Sequence, residues 1–178
     1  QKPRPCVFEY IYFARPDSLI NQKCAYEYRK NLGNELAKET DVDADLVVPV
    51  PDSGVPAALG FAMKSNKKFD LGLIRNHYVG RTFIEPTQNI RSLGVKLKLS
   101  PTKTIVKNKS VILIDDSIVR GTTCHKIVKM LYEAGAKEVH VRIACPEIKY
   151  PDFYGVDMPT KEELLAYKKN NQEMCNYI

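Results

Sequence analysis

The sequence predicts an α/β fold in which a parallel-rich, doubly wound sheet is flanked by helices. Stretches rich in β-branched residues alternate with amphipathic stretches along the chain, which is the order expected of βαβ units. Residues 111–114 are four consecutive apolar residues, a pattern typical of a parallel strand buried on both faces. The 178 residues have the length of one such domain.

The first half of the chain contains two helix patterns and two strand patterns. Tyr28, Leu32 and Leu36 recur at helical spacing, and Pro56 stands in the first turn of the second helix pattern, where proline is tolerated. In chain order, we predict an apolar, partly extended segment over residues 5–13, a helix over 26–39, a strand over 44–50, a turn over 51–54, a helix over 55–64 and a short strand over 71–74.

The second half begins with a long polar connection. Residues 75–99 are basic and weakly periodic, and connections of this length in compact domains are commonly functional lids or flexible surface loops. Gly135 follows the next helix as a C′ residue would, and Thr160 with Glu163 has the spacing of a capping box. In chain order, we predict a strand over 110–115, a helix over 122–134, a strand over 138–145 and a helix that begins at Thr160.

Composition argues against several classes of protein. The sequence has no run of about 18 apolar residues and no signal-peptide pattern, so we expect a cytoplasmic protein that does not bind membranes. Its five cysteines form no C-x-x-C pair, which argues against a disulfide framework or a zinc site. The net charge of +6 is spread over scattered lysines, so we expect a mildly basic surface and no nucleic-acid partner.

The most informative residues directly follow the central predicted strand. Asp115 and Asp116 stand where the strand should end, and Ser-Ile-Val-Arg-Gly-Thr-Thr follows at 117–123 and opens a helix. Such a loop offers free backbone N–H groups and a positive helix end to an anion, at the sheet edge where ligands of α/β folds bind. An Asp pair alone favours a polar strand end, whereas beside this loop it indicates a sugar phosphate bound with Mg²⁺.

This pattern resembles the phosphoribosyl pyrophosphate (PRPP) motif of type I phosphoribosyltransferases. Further blocks are similar to the glutamine PRPP amidotransferase family, and the resemblance runs from about Cys6 to about Ala166. The blocks are CVFEYIYFARPDS at 6–18, PVPDSG at 49–54, NHYVGRTFI at 76–84 and YGVDMPT at 154–160. The resemblance implies the type I phosphoribosyltransferase fold. It also implies a reaction in which ammonia displaces pyrophosphate from PRPP to give 5-phosphoribosylamine for purine synthesis.

The resemblance assigns roles to two loops. Binding of the 5′-phosphate is implied for Ser117, Arg120, Gly121, Thr122 and Thr123. Asp115 and Asp116 would face the ribose hydroxyls, and Asp52, Ser53 and Gly54 would form the pyrophosphate loop. Ser53, Asp115 and Asp116 match the positions that hold Mg²⁺ in the family, and Mg²⁺ prefers such oxygen ligands. Without the other blocks, Pro-Asp-Ser-Gly would more simply be an ordinary turn.

The long connection would be a lid over PRPP. By resemblance, Arg75, Tyr78 and Arg81 donate to the pyrophosphate, and the closed lid excludes water that would hydrolyse the activated sugar. We further expect Ile84, with Val79, to give the lid an apolar inner surface for the passage of ammonia. Arg75, Tyr78, Arg81 and Ile84 are therefore our candidate catalytic residues.

The resemblance also bears on cofactors, partners and domain organisation. Cys6 matches a ligand of the iron–sulfur cluster that some members hold, but Asp152 falls in the segment of a second ligand, so we expect a packed Cys6 thiol and no cluster. We expect residues 1–178 to be a partial phosphoribosyltransferase domain, with the glutaminase domain that supplies ammonia and the C-terminal end outside it. The family implies homo-oligomers and inhibition by purine nucleotides.

Two other functions remain open from the sequence. A phosphoribosyltransferase for a nucleobase would share residues 115–123, but it need not match the blocks at 6–18 and 154–160. A transcriptional regulator on the same fold would bind PRPP without turnover and use its basic surface on DNA, with a steep dependence on salt.

Overall fold

The computed structural model describes residues 6–39, 41–77, 98–151 and 160–178. The elements of its first half are a π-helical turn Glu9–Phe13, β1 Leu19–Ile20, β2 Lys23–Cys24, α1 Ala25–Glu39, β3 Leu46–Pro49, α2 Val55–Ser65 and β4 Leu73–Arg75. The elements of its second half are β5 Leu99–Pro101, α3 Lys103–Val106, β6 Ser110–Asp115, α4 Thr122–Glu133, β7 Glu138–Ile143, a 3-10 turn Lys161–Glu163, α5 Leu165–Lys168 and α6 Asn171–Tyr177.

A parallel sheet forms the centre of the molecule, as predicted. Its strands lie in the order β3-β6-β7, with Val47 opposite Ile112 and Leu113 opposite Val141. β6 is thus the central strand, and its apolar run is continuous rather than alternating because both of its faces are buried. Two antiparallel pairs, β1 with β2 and β4 with β5, lie outside this sheet.

Helices cover both faces of the sheet, which confirms the doubly wound prediction. Side chains alternate along β6, so Ile112 and Ile114 join the core cluster that contains α1 and α2 residues. Val111 and Leu113 instead join the cluster that contains α4 residues such as Ile127. All five of these side chains are fully buried.

Glycines set the close approach of α1 and α2. A Cβ on Gly33 would collide with the backbone of Ala57, and a Cβ on Gly60 would collide with the backbone carbonyl of Lys30. The buried stripe of α1 is accordingly Ala25, Arg29, Gly33 and Leu36. The predicted stripe was wrong in part, because Tyr28 and Leu32 are only half-buried beside it.

Two other sequence predictions were wrong in detail, and one strand that was predicted correctly pairs outside the main sheet. Part of the 5–13 segment is a π-helical turn rather than extended, because its apolar residues, Ile11 among them, pack around a helical turn. The predicted strand at 71–74 is β4, which pairs antiparallel with β5 and not with the main sheet. Thr160 makes no side-chain cap, whereas Asn170 and Glu173 form a capping box at the start of α6.

The remaining predicted elements agree with the structure to within about two residues. β6 spans Ser110–Asp115 as predicted, and Gly135 has φ +96° directly after the cap of α4. Gly135 therefore takes the left-handed conformation that a C′ residue needs. In the described part of the chain, no helix has both the length and the apolar character to cross a membrane.

Candidate active site

Two loops meet at the carboxyl end of the sheet. The loop at 51–54 follows β3 and the loop at 116–121 follows β6, and because these strands are parallel neighbours both loops emerge at one edge. The Val50 N–H donates to the Ile114 carbonyl at 2.8 Å. Gly54 packs so closely that an added Cβ would lie 2.6 Å from the same carbonyl oxygen. The turn at 51–54 is thereby held against the end of β6.

Both loops line one pocket of about 290 Å³. Its walls comprise most of the predicted substrate-binding residues, and they are Val50, Ser53, Asp115, Asp116, Ser117, Ile118, Val119, Arg120, Gly121, Thr122, Thr123 and Cys124. Asp52 and Gly54 belong to the same turn but are not part of this lining. The pocket lies where α4 begins at Thr122, so it faces the first turn of a helix.

The two carboxylates in this pocket have raised pKa values. Burial and the neighbouring Asp116 raise the pKa of Asp115 to about 8. Burial also raises the pKa of Asp116, and it outweighs the opposing effects of the Ser117 and Ser53 hydroxyls and of the Arg29 charge. Among the described residues, neither carboxylate forms an ion pair. The protein thus holds two acidic groups in a place that disfavours their charge.

The buried carboxylate of Asp116 is only half satisfied. Its Oδ1 accepts a hydrogen bond from the Ser117 hydroxyl at 2.7 Å, whereas its buried Oδ2 has no hydrogen-bond partner among the residues that the structure describes. An unpaired buried oxygen is costly, so a ligand that donates to it or a cation beside it relieves that cost. Ser53, Asp115 and Asp116 are oxygen donors of the kind that Mg²⁺ takes, and the orphaned oxygen fits that ion.

A metal here would need ligands beyond these three residues. The described residues contain no group of three or more His, Cys, Asp or Glu side chains that could hold a metal ion. Mg²⁺ commonly keeps several waters and binds through one or two carboxylates together with substrate phosphates. Ser53, Asp115 and Asp116 could therefore hold such an ion only together with waters or a ligand that supplies further oxygens.

The backbone of the second loop is shaped around Gly121. This residue has φ +76°, a left-handed conformation that favours glycine, and its carbonyl accepts the first helical hydrogen bond from the His125 N–H at 3.0 Å. The N–H groups that precede His125 in the first turn of α4 have no helical acceptor. Thr122 and Thr123 bring these free donors, with their hydroxyls, to the pocket.

Arg120 lines the pocket, but its guanidinium is bound elsewhere. The Arg120 Nε donates to Glu163 Oε2 at 2.6 Å, and both side chains are about half exposed. The structure thus places Arg120 in the loop that lines the pocket and adds a carboxylate partner for its side chain. A phosphate contact by its side chain stays a prediction.

Arg75, the last residue of β4, contacts the turn at 51–54 through its side chain. Its Nη1 donates to Asp52 Oδ2 at 2.7 Å, which joins the end of β4 to the turn after β3. The Pro51–Asp52 peptide bond in this turn is cis. Tyr78, Arg81 and Ile84, the other candidate residues of the predicted lid, lie outside the described residues.

Cys6 differs from its predicted state. We expected a packed thiol, but Cys6 is exposed at the start of the described chain, before the turn that buries Phe8 and Ile11. That expectation was wrong because the apolar contacts of this segment come from the next residues and not from Cys6.

The sequence analysis missed two charged residues near the site. Arg29 is 6% exposed, donates to the carbonyls of Tyr10 and Ala14, and affects the charge of Asp116. It stood beside an apolar helical stripe, so its sequence pattern indicated a solvent-facing cation. Glu163 reaches Arg120 from 43 residues away, and no local pattern links the two positions.

Comparison with known proteins agrees with this geometry. The pattern that defines the phosphoribosyl transferase domain family matches residues 21–157. Over 99% of its length the chain is 59% identical to the amidophosphoribosyltransferase of Rhizobium etli, and over 97% it is 58% identical to that of Methanocaldococcus jannaschii. It covers 36% and 37% of these relatives, so it spans about a third of their length.

A solved structure of similar fold is that of a nucleotide complex. It is the glutamine PRPP amidotransferase of B. subtilis in complex with ADP and GMP. The two chains share 52% identity and superpose with a TM-score of 0.87 over 96% of this chain and 38% of that one.

Proposed function

This chain belongs to the phosphoribosyltransferase family, and on that basis we propose that it transfers the phosphoribosyl group of PRPP to ammonia. The products are 5-phosphoribosylamine and pyrophosphate, and this step commits PRPP to de novo purine synthesis. The observation that carries the proposal is the 58–59% identity to amidophosphoribosyltransferases over nearly the whole chain. In the intact protein, glutamine would supply the ammonia through a glutaminase domain.

The reaction requires the protein to orient PRPP and to stabilise charge, and it requires no protein nucleophile. The ammonia lone pair forms the new C1–N bond, the C1–O bond breaks with inversion, and its electron pair leaves on pyrophosphate while nitrogen releases a proton to water. The transition state resembles an oxocarbenium ion, so catalysis depends on orienting PRPP and stabilising the departing charge. The pocket between the two loops supplies both.

Each loop takes one part of PRPP in this proposal. Backbone N–H groups and hydroxyls at 117–123 bind the 5′-phosphate, because they form a donor-rich helix start. Asp115 and Asp116 accept from the ribose hydroxyls, which gives the orphaned Asp116 oxygen a partner. Ser53, Asp115 and Asp116 would hold Mg²⁺, which when bound supplies positive charge for the pyrophosphate.

The turn after β3 would bind the pyrophosphate. Asp52, Ser53 and Gly54 form that turn, and Arg75 already lies on it through its ion pair with Asp52. The roles of Tyr78 and Arg81 as further donors, and of Ile84 as an apolar wall, remain predictions for the segment outside the described residues.

Regulation and assembly extend the proposal to the whole protein. Purine nucleotides would bind it, since the similar B. subtilis enzyme is known in complex with ADP and GMP, and by the family resemblance we propose that they inhibit it. We also propose that the protein is a cytoplasmic homo-oligomer.

Pyrophosphate release from PRPP tests this function. We expect the full-length protein with Mg²⁺ to release pyrophosphate when ammonia is supplied and not when hypoxanthine is supplied. Asp116→Asn should lower kcat/KM for PRPP by at least about a hundredfold, because it removes charge from the ribose and metal site. Circular dichroism of the variant should match that of the unaltered protein.

The controls separate the competing functions. Asp17→Asn changes an exposed carboxylate that pairs with Arg15, and it should leave turnover unchanged. Release with hypoxanthine instead of ammonia would favour a nucleobase phosphoribosyltransferase. PRPP binding without release would favour a regulator, and unchanged turnover in Asp116→Asn would refute the assigned site.

A further inference from the structure

The C-terminal segment of the described chain, residues 160–178, lies against the outer side of the phosphate loop. Its Leu165 N–H donates to the Val119 carbonyl at 2.9 Å, and its Glu163 pairs with Arg120. Farther along, the Tyr177 carbonyl lies 3.0 Å from Nδ1 of His125 in the first turn of α4. Three separate polar contacts therefore join this segment to the loop and to the helix that follows it.

Apolar packing fixes the segment in place. Leu164 is fully buried and Leu165 is 5% exposed, so the residues directly after Glu163 are anchored in the protein interior. Gly121 presses on the same segment, because a Cβ at that position would lie 2.7 Å from the Leu165 side chain and 3.1 Å from the Tyr177 ring. The carboxylate of Glu163 thus extends from a fixed backbone toward a loop that has no room to shift outward.

The contact at Val119 determines which way a loop donor points. In a trans peptide the carbonyl and the N–H of one plane point in opposite directions. Because the Val119 carbonyl points to Leu165, the N–H of Arg120 points away from the C-terminal segment. Val119, Arg120 and Gly121 all line the pocket, so this N–H, turned away from the C-terminal segment, belongs to the part of the loop that a ligand would meet.

The ion pair between Arg120 and Glu163 restrains the residue whose N–H is oriented in this way. Arg120 is the residue whose N–H is turned, and its guanidinium is fixed by Glu163 at 2.6 Å. The preceding Val119 carbonyl is bound by Leu165, and the Arg120 side chain is bound by Glu163. The Arg120 backbone therefore has little freedom to rotate. An anion then meets a donor that is already oriented, which lowers the cost of ordering the loop on binding.

From these contacts we propose that Glu163 is a positioning residue for the phosphate-binding loop, acting through Arg120. It fixes the loop before PRPP arrives and so lowers the KM for PRPP, without itself touching the reacting atoms. The inference rests on the proposed function, because it names how the same pocket gains affinity for its phosphorylated substrate.

Steady-state kinetics of the full-length protein test this role. In the ammonia-dependent release of pyrophosphate, we expect Glu163→Ala to raise the KM for PRPP about three- to tenfold while kcat stays within about twofold. Glu163→Gln keeps an acceptor oxygen at the same reach and should fall between Glu163→Ala and the unaltered protein. A residue that only stabilised the fold would lower the active fraction and hence kcat, and would leave KM unchanged.

The adjacent Glu162 supplies a matched control. It carries the same charge in the same 3-10 turn, but its own interactions are with Thr160 and nearby lysines rather than with Arg120. Glu162→Ala should therefore retain the KM of the unaltered protein. An unchanged or lower KM in Glu163→Ala, or an equal rise in Glu162→Ala, would overturn the inference. Failure of the unaltered protein to consume PRPP would instead overturn the proposed function, and this inference with it.

Discussion

The acidic pair at the end of β6 shows how single residues combine structure and chemistry. Asp115 and Asp116 lie where burial disfavours charge, and one Asp116 oxygen has no hydrogen-bond partner in the described part of the chain. A fold selected for stability alone would place neutral side chains here. The pair therefore costs stability in the unliganded protein, and its proposed ligands offset that cost when they bind.

This cost depends on pH in a defined direction. The pKa of Asp115 is about 8 in the folded protein against 3.8 in an exposed carboxyl, so between these values the folded state retains a proton that the unfolded state has lost. The contribution of Asp115 to the free energy of unfolding therefore falls as pH rises from about 4 to about 8. Asp115→Asn removes the group, so we expect its stability relative to the unaltered protein to be at least about 1 kcal/mol greater at pH 8 than at pH 5.

Urea unfolding at the two pH values, without PRPP or metal, measures this difference. Asp17→Asn is the control, because Asp17 is exposed and the pKa of its carboxyl is lowered rather than raised. Its effect on stability should be the same at pH 5 and pH 8. An Asp115→Asn effect that does not change between these pH values would show that Asp115 ionises normally.

Single residues also mark the limit of what the sequence predicts. Asp115, Asp116 and Gly121 were identified because they follow one another in a short pattern whose chemistry can be read locally. Arg29 and Glu163 were missed because their roles come from partners at distant positions, Tyr10 and Ala14 for one and Arg120 for the other. Hydrophobic periodicity predicts that a single charged side chain faces solvent. Only the folded structure shows that such a side chain has a partner distant in sequence.

At the scale of elements, close packing of α1 and α2 supports one side of the sheet. Gly33 and Gly60 remove side chains at the places where the helix backbones meet. This explains why a glycine, Gly33, stands on the buried face of α1, while Tyr28 and Leu32 lie half-buried beside it. The sequence predicted both helices correctly, but not which face of α1 is inward, because hydrophobicity does not register a glycine contact.

Gly60→Ala tests that packing. The new methyl group would meet the Lys30 backbone, so we expect a loss of about 1–3 kcal/mol in the free energy of unfolding, despite the better helix propensity of alanine. Lys64→Ala in the same helix is exposed and should change stability by less than about 0.5 kcal/mol. Denaturant unfolding of both variants gives the comparison. Equal stability of the two would contradict close backbone contact between α1 and α2.

Boundaries of elements were predicted best where one signal dominates. The continuous apolar run fixed β6, and the left-handed Gly135 fixed the end of α4. The 5–13 segment was predicted wrongly because an aromatic, apolar run has no clear period, and its helical turn is stabilised by packing. The capping box expected at Thr160 also failed, since Glu163, which it required, pairs with Arg120 instead.

At the scale of the whole molecule, sheet order assembles the site. β3 and β6 are parallel neighbours, so turns that lie more than 60 residues apart in sequence face one pocket. The family resemblance implied this meeting, because it assigned both loops to one PRPP molecule, and the parallel pairing of β3 and β6 explains it. The sequence did not predict the outer support of the loop by residues 160–178, since their contacts with Val119, Arg120 and Gly121 follow no sequence pattern.

The most direct test of the account is a crystal structure of the full-length protein with PRPP and Mg²⁺. We predict the 5′-phosphate within hydrogen-bonding distance of the backbone at 117–123, and the ribose hydroxyls and the ion at Asp115 and Asp116. A complex in which both carboxylates point away from the bound sugar, or in which the phosphate lies outside this loop, would contradict the central claim.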